Sequence, residues 1–272
     1  MAHSRPMTTP VDDGAALFHG DAGVFLPTLY TQGPWDPAAQ FGGSPAALLV
    51  TLVEQVPTLV PMQVARFTLD LLRPVPLAPL TAEVRVVREG KRIQVVAATL
   101  RSGETEVARA SALRVRLVDL DRGELPDGRT PNPVPMHPLP TDEGEPFPVD
   151  PPGSRRAVEY AFEGIGGHYA QPAWVRLRVA VIAGQPVSPV ARLAYVADLA
   201  SGLGQRRSLG VTGINADLAL NVLRYPEGEW LSLDGTGWIS RSGIGQVQAV
   251  LSDTAGMAAG VSMSRLVDPG AL

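Results

Sequence analysis

Residues 44–56 read SPAALLVTLVEQV, and residues 188–201 read SPVARLAYVADLAS. Both open on Ser-Pro, at an offset of 144. Serine is a good N-cap and proline is tolerated at the first helical position, so each run reads as a helix start at Ser44 and Ser188. The first run is apolar nearly all round, and a helix of that kind has to be wrapped by other structure. Ten residues after each serine stands an acid, Glu54 in the first run and Asp198 in the second.

Beyond the helices the offset becomes 151. Leu69/Leu220, Leu72/Leu223, Arg73/Arg224, Leu80/Leu231, Ile93/Ile244, Val96/Val247, Ala98/Ala249 and Leu100/Leu251 are identical pairs within one 32-residue window. So dense a set of matches marks a duplicated module. Alternation identifies the strands: in VARFTLDLL (64–72), Ala65, Phe67, Leu69 and Leu71 share a face against Arg66, Thr68 and Asp70. Further strands are predicted at about 80–89, 91–101 and 105–118, with turns at Glu89-Gly90 and Ser102-Gly103. The second module is predicted to repeat this order, with 175–181 ahead of its helix and strands near 212–223, 229–239, 244–252 and 257–267. One buried helix gripped by a curved antiparallel sheet, twice over, is an α+β double hotdog.

Ten prolines fall between Pro126 and Pro152, a density that favours an extended connector over helix or central strand. The expected organisation is an N-terminal module at 1–120, a Pro-rich connector at 121–152 and a C-terminal module at 153–272. The chain of 272 residues is 45% hydrophobic and 18% charged, which excludes a charge-rich disordered protein. Its zero cysteines exclude disulfides, zinc-thiolate sites and thiol nucleophiles. The 23 basic residues are scattered and the net charge is −4, so no nucleic-acid footprint is present. The first residues, MAHSRPMTTPVDDG, lack the apolar run of a secretory leader, and no stretch has the length of a membrane span, so a cytoplasmic location is expected.

QFGGSPAALL (40–49), LLRPVPLAPLTAEVRVVREGKR (71–92), AYVADL (194–199) and NADLALNVLRYPEGEWLSLD (215–234) together resemble the acyl-CoA thioesterase II (TesB-like) family. The likeness covers most of the chain outside the connector. It implies a double hotdog that hydrolyses acyl-CoA thioesters with an activated water. It also implies an Asp on the second module's helix, a Thr and a Gln from neighbouring strands, and no cofactor, coenzyme A being part of the substrate. Carried onto this sequence, the Asp is Asp198, while the Thr position holds Asn215 and the Gln position Ser264. Both replacements can still hydrogen-bond a water.

Thioester hydrolysis needs a base for water and donors for the developing oxyanion. Burial of Asp198 in an apolar helix setting would raise its pKa toward useful general-base values. Tyr195, three residues earlier, should share its helical face. Phe41, Gly42 and Gly43 precede the first helix, where free N–H groups and the helix dipole suit an oxyanion and glycine admits a ligand to the backbone. Glu54 is the competing carboxylate, and Arg88, Lys91 and Arg92 form either a solvated turn or contacts to the phosphates of coenzyme A.

Other chemistries lack their motifs. Gly42-Gly43-Ser44-Pro45-Ala46 is not a complete nucleophile elbow. His3, His19, His137 and His168 fall in termini, loops or the connector, and neither helix carries the histidine a hotdog dehydratase needs. Gly202-x-Gly204 and Gly243-x-Gly245 lack the third glycine of a dinucleotide fingerprint, and no metal cluster has ligand spacing. Two readings remain: an acyl-CoA thioesterase with Asp198 as base, and a non-catalytic acyl or acyl-CoA-binding double hotdog, motivated by Asn215 and Ser264. The expected partner is a small-molecule acyl-CoA, and assembly of the chain into homo-oligomers is compatible with either reading.

Overall fold

The period-2 stretches form strands and the two apolar runs form the long helices. In the computed structural model, residues 15–21, 23–120, 153–161, 173–203 and 211–269 are described. The predicted connector at 121–152 lies outside them, as do His3, His137 and His168. The first half contains β1 (Ala16–Asp21), β2 (Val24–Pro27), a 3-10 turn (Leu29–Thr31), α1 (Gly43–Glu54), β3 (Met62–Leu71), β4 (Leu80–Arg88), β5 (Ile93–Ser102) and β6 (Thr105–Arg116). The second contains α2 (Gly153–Arg156), β7 (Val158–Ala161), β8 (Ala173–Leu177), β9 (Ala180–Ile182), α3 (Pro189–Leu203), β10 (Val211–Asn215), β11 (Asp217–Val222), β12 (Trp230–Ile239), β13 (Ile244–Asp253) and β14 (Gly256–Pro269). No described helix is long and apolar enough to cross a membrane.

The strands join into one mostly antiparallel sheet, ordered β7-β8-β12-β13-β14-β11-β3-β6-β5-β4-β2-β1-β9, with β10 also on β14. Hydrogen-bond register reproduces the duplication. Leu69 faces Ala110 and Leu220 faces Val261; Ile93 faces Val115 and Ile244 faces Leu266; every member is displaced by 151 from its counterpart. The modules join edge to edge through β3 and β11, where Thr68 faces Ala219, its own repeat equivalent. The chain is therefore a double hotdog, two sheets each wrapped on a helix and fused into one. The halves also interlock, because β9 pairs in parallel with β1 through Ala16–Ala180 and Phe18–Ile182.

Ten of the twelve α1 residues are buried, as an all-round apolar helix requires. Its partner α3 packs against it, and together they fill the concave side of the sheet. The two helix starts differ from each other. Ser188 caps α3, its Oγ accepting from the Ala191 N–H at 3.2 Å. Ser44 is not a cap: α1 begins at Gly43 with Gly42 at the N-cap, and the Ser44 hydroxyl is buried beside Tyr195.

One strand reading is also revised. The alternation expected through Ala65 is interrupted by a register shift between Val64 and Arg66, so that Val64 rather than Ala65 is buried beside Phe67 and Leu69. The second module breaks at the same place, at Ala216 between β10 and β11. Gly213 and Asn215 lie on the helix side before the break, and Leu218 and Leu220 after it. Without that extra residue, Asn215 would share the outer face with residues 217 and 219.

Candidate active site

Asp198 sits on α3 at 3% exposure, ten residues beyond the Ser188 cap. Three groups converge on its carboxylate. Asn215 Nδ2 donates to Oδ1 at 2.7 Å, and the Gly43 N–H at the start of α1 donates as well. Gly42 lies so close that a Cβ there would fall 2.9 Å from Oδ2. Burial pushes the pKa of Asp198 up from 3.8 to about 6, opposed by the hydrogen bonds from Asn215 and Gly43. The positive end of α1, aimed at the carboxylate, acts with those bonds.

The two glycines are therefore explained by close approach. Neither has a positive φ. A Cβ on Gly43 would meet the Phe41 ring at 2.4 Å and the Tyr195 carbonyl at 2.6 Å. The expectation that Gly43 offers its N–H to an oxyanion is modified, since that N–H is engaged by Asp198. Phe41 and Tyr195 form an aromatic wall, their ring centroids 5.3 Å apart and inclined at 59°. Tyr195 is fully buried and its hydroxyl donates to the Ser154 carbonyl at 3.1 Å. Burial pushes its pKa well up, so it stays protonated.

Asp198, Asn215, Gly42, Gly43, Phe41 and Tyr195 are thus brought together. Ser264 is not. It stands on the exposed face of β14, its N–H donating to the Asp217 carboxylate. Strand alternation is the reason, because a one-residue displacement reverses the face. The residue in register with Asn215 is Arg265, which is 3% exposed. Sequence reasoning missed it, although the repeat points there: Arg114 and Arg265 are separated by 151, and Arg114 faces Val64 as Arg265 faces Asn215.

Glu54 lies at the other end of the helix pair. It accepts a hydrogen bond from the Tyr225 hydroxyl at 3.1 Å, and that hydroxyl also accepts from the Val64 N–H at 3.1 Å. The first module holds Val64 where the second holds Asn215, so Glu54 has no side-chain amide from that strand position. Arg88, Lys91 and Arg92 are exposed around the β4–β5 turn. A shallow groove among Asn221, Thr236, Trp238, Gln248 and Ser262 lies on the second module's sheet and does not include Asp198.

Comparison with known proteins completes the picture. The description "Acyl-CoA thioesterase N-terminal domain" matches residues 31–115, and "Acyl-CoA thioesterase C-terminal domain" matches residues 131–263. The chain belongs to the acyl-CoA thioesterase family. The TesB-like resemblance carried by its motifs is upheld, and the family supports thioester hydrolysis as its general chemistry. No curated protein matches the sequence significantly. Among solved structures, this thioesterase-family chain is similar to a hot dog fold protein from Alicyclobacillus acidocaldarius (17% identity, 94% of this chain and 97% of that one, TM-score 0.68). It is also similar to an acyl-CoA thioesterase II TesB2 from Mycobacterium marinum (17%, 92% and 93%, TM-score 0.62). A third similar structure is a tesB protein from Mycobacterium avium subs paratuberculosis (16%, 91% and 93%, TM-score 0.63). At these identities the structural likeness shows the double hotdog fold.

Proposed function

We propose that this protein hydrolyses acyl-CoA thioesters to a free acid and coenzyme A, with Asp198 activating a water. The observation that carries this reading is the pairing of Asp198 with Asn215. Asn215 Nδ2 is occupied by Asp198 Oδ1, while Asn215 Oδ1 is buried with no partner among the described residues. A water donating one hydrogen to the Asp198 carboxylate and the other to Asn215 Oδ1 would have a lone pair free to attack. With a pKa of about 6, the carboxylate is about nine-tenths ionised at pH 7, close to the best balance of base strength and availability.

The step balances simply. The water oxygen bonds to the thioester carbonyl carbon as its proton passes to Asp198. Collapse of the tetrahedral intermediate breaks the C–S bond, and the proton on Asp198 passes to the departing sulfur. Loss of the family's Thr at position 215 is compatible with this chemistry, since the asparagine both orients the base and accepts from the water. The Phe41–Tyr195 wall supplies apolar surface for the acyl group. A cytoplasmic location and action without a cofactor belong to the same reading.

Release of free thiol from acyl-CoAs of short, medium and long chain tests the proposal, for wild type, Asp198→Asn and Glu54→Gln. Thiol release that falls by about 10³-fold or more in Asp198→Asn and persists in Glu54→Gln is expected. Binding of acyl-CoA without thiol release at any chain length would identify a non-catalytic binding protein instead. Activity indifferent to Asp198→Asn but lost in Glu54→Gln would move the base to the first module.

A further inference from the structure

Arg265 is 3% exposed, and its guanidinium makes one described hydrogen bond. Its Nη2 donates to the Gly213 carbonyl at 3.1 Å, and among the described residues its Nε has no partner and no carboxylate lies within ion-pairing distance. Gly213 makes room for it, since a Cβ there would fall 2.1 Å from Nη2. The repeat-related Arg114 is differently employed. Its Nη1 donates to the Val53 and Val56 carbonyls at the end of α1 and to Gln94 Oε1. At the position equivalent to Gln94 the second module has Gly245, so the side-chain acceptor has gone while the buried cation has stayed. Next to Arg265, in register, is Asn215 with its own unpartnered Oδ1, and beyond Asn215 is Asp198.

Burying a cation without a counter-ion is costly, and the cost is recovered when an anion arrives. We propose that Arg265 is a substrate-contacting residue of the Asp198 site, its guanidinium receiving an anionic oxygen of the acyl portion of the substrate. This rests on the thioesterase reading. Two sources have that chemistry: the oxyanion that develops on the thioester carbonyl, and a terminal carboxylate on the acyl chain. The phosphates of coenzyme A are strongly hydrated and suit an open surface rather than a position at 3% exposure.

Hydrolysis of hexanoyl-CoA and adipoyl-CoA, and calorimetric binding of the non-hydrolysable thioethers S-hexyl-CoA and S-(5-carboxypentyl)-CoA, test this with wild type, Arg265→Met and Arg265→Lys. A tail carboxylate predicts that Arg265→Met weakens the carboxylated thioether at least about tenfold more than the alkyl one, with the same bias in kcat/KM. An oxyanion predicts a loss of at least about tenfold in kcat on both substrates, with both thioether affinities unchanged. Kinetics within about twofold of wild type and an unchanged binding ratio would overturn the proposal. If the methionine variant does not give a cooperative melt, Arg265→Lys, which keeps the charge but loses the fork, is judged by the same thresholds. Absence of thiol release by wild type on every acyl-CoA would refute the thioesterase reading alone. The binding ratio would then decide Arg265, and an unchanged ratio would overturn it.

Discussion

Replacing Asp198 by asparagine should make the protein more stable near neutral pH while disabling it. The carboxylate titrates at about 6 in the folded chain, against 3.8 when unperturbed. The folded state therefore holds a proton more tightly than the unfolded chain does. Stability associated with the protonated acid is fully present below about pH 3.8 and is lost as pH rises through 6. A rise of about two pH units corresponds to about 3 kcal/mol of burial penalty carried by the ionised form at pH 8. Asparagine removes the charge and keeps an oxygen for the Asn215 and Gly43 donors, but its amide hydrogens lack a described acceptor. A net gain of about 1–3 kcal/mol at pH 8 is expected, falling by about 2–3 kcal/mol on going to pH 4, where the difference is near zero or reversed. For a chain of this size each kcal/mol is worth about 2–4 °C in Tm. Urea unfolding of both proteins at half-unit steps from pH 4 to 8 measures the difference directly. The argument fails if Asp198→Asn is no more stable than wild type at pH 8, or if the difference is independent of pH.

Three other outcomes follow from the same geometry. The acid limb of kcat should have its midpoint at about pH 6, and Asn215→Leu, which removes a bond favouring the carboxylate, should move that limb to higher pH in a pH–rate profile. Gly42→Ala should displace the carboxylate, because the new Cβ falls 2.9 Å from Oδ2; a roughly ten- to hundredfold loss in kcat with little change in KM is expected in steady-state kinetics. Ser264→Ala, on the exposed face of β14, should leave kcat/KM and Tm within experimental error, with a stability change of about 0.5 kcal/mol or less.

Much of this molecule was legible in the sequence because duplication writes itself twice. The offset of 151 in identical residues is the offset of the hydrogen-bond register, and most strands lie within a few residues of their predicted ends. The single strand expected at 175–181 is instead two, β8 and β9, which part toward opposite ends of the sheet. Asp198 was legible because an acid in an apolar helix stands out, and Asn215 because the family motif around it is anchored by Asp217 and Arg224. Ser264 was misplaced because few motif residues anchor β14, and in a strand one residue decides the face. Ser44 gave a capping signal that the helix does not use, since α1 starts one residue earlier and buries that hydroxyl.

The sequence by itself determined two modules, each with one helix to be wrapped by strands, because apolar periodicity and repetition are properties of the chain alone. Only the tertiary structure decided which polar groups meet. Asp198, Gly43 and Asn215 come from α3, the start of α1 and β10, which converge once the two helices pack together beneath one sheet. A break at Ala216 then turns Asn215 inward, and strand pairing with β14 sets Arg265 rather than Ser264 beside it. No local pattern encodes those neighbours, because the pKa of a carboxylate and the availability of a guanidinium depend on what the fold brings up against them.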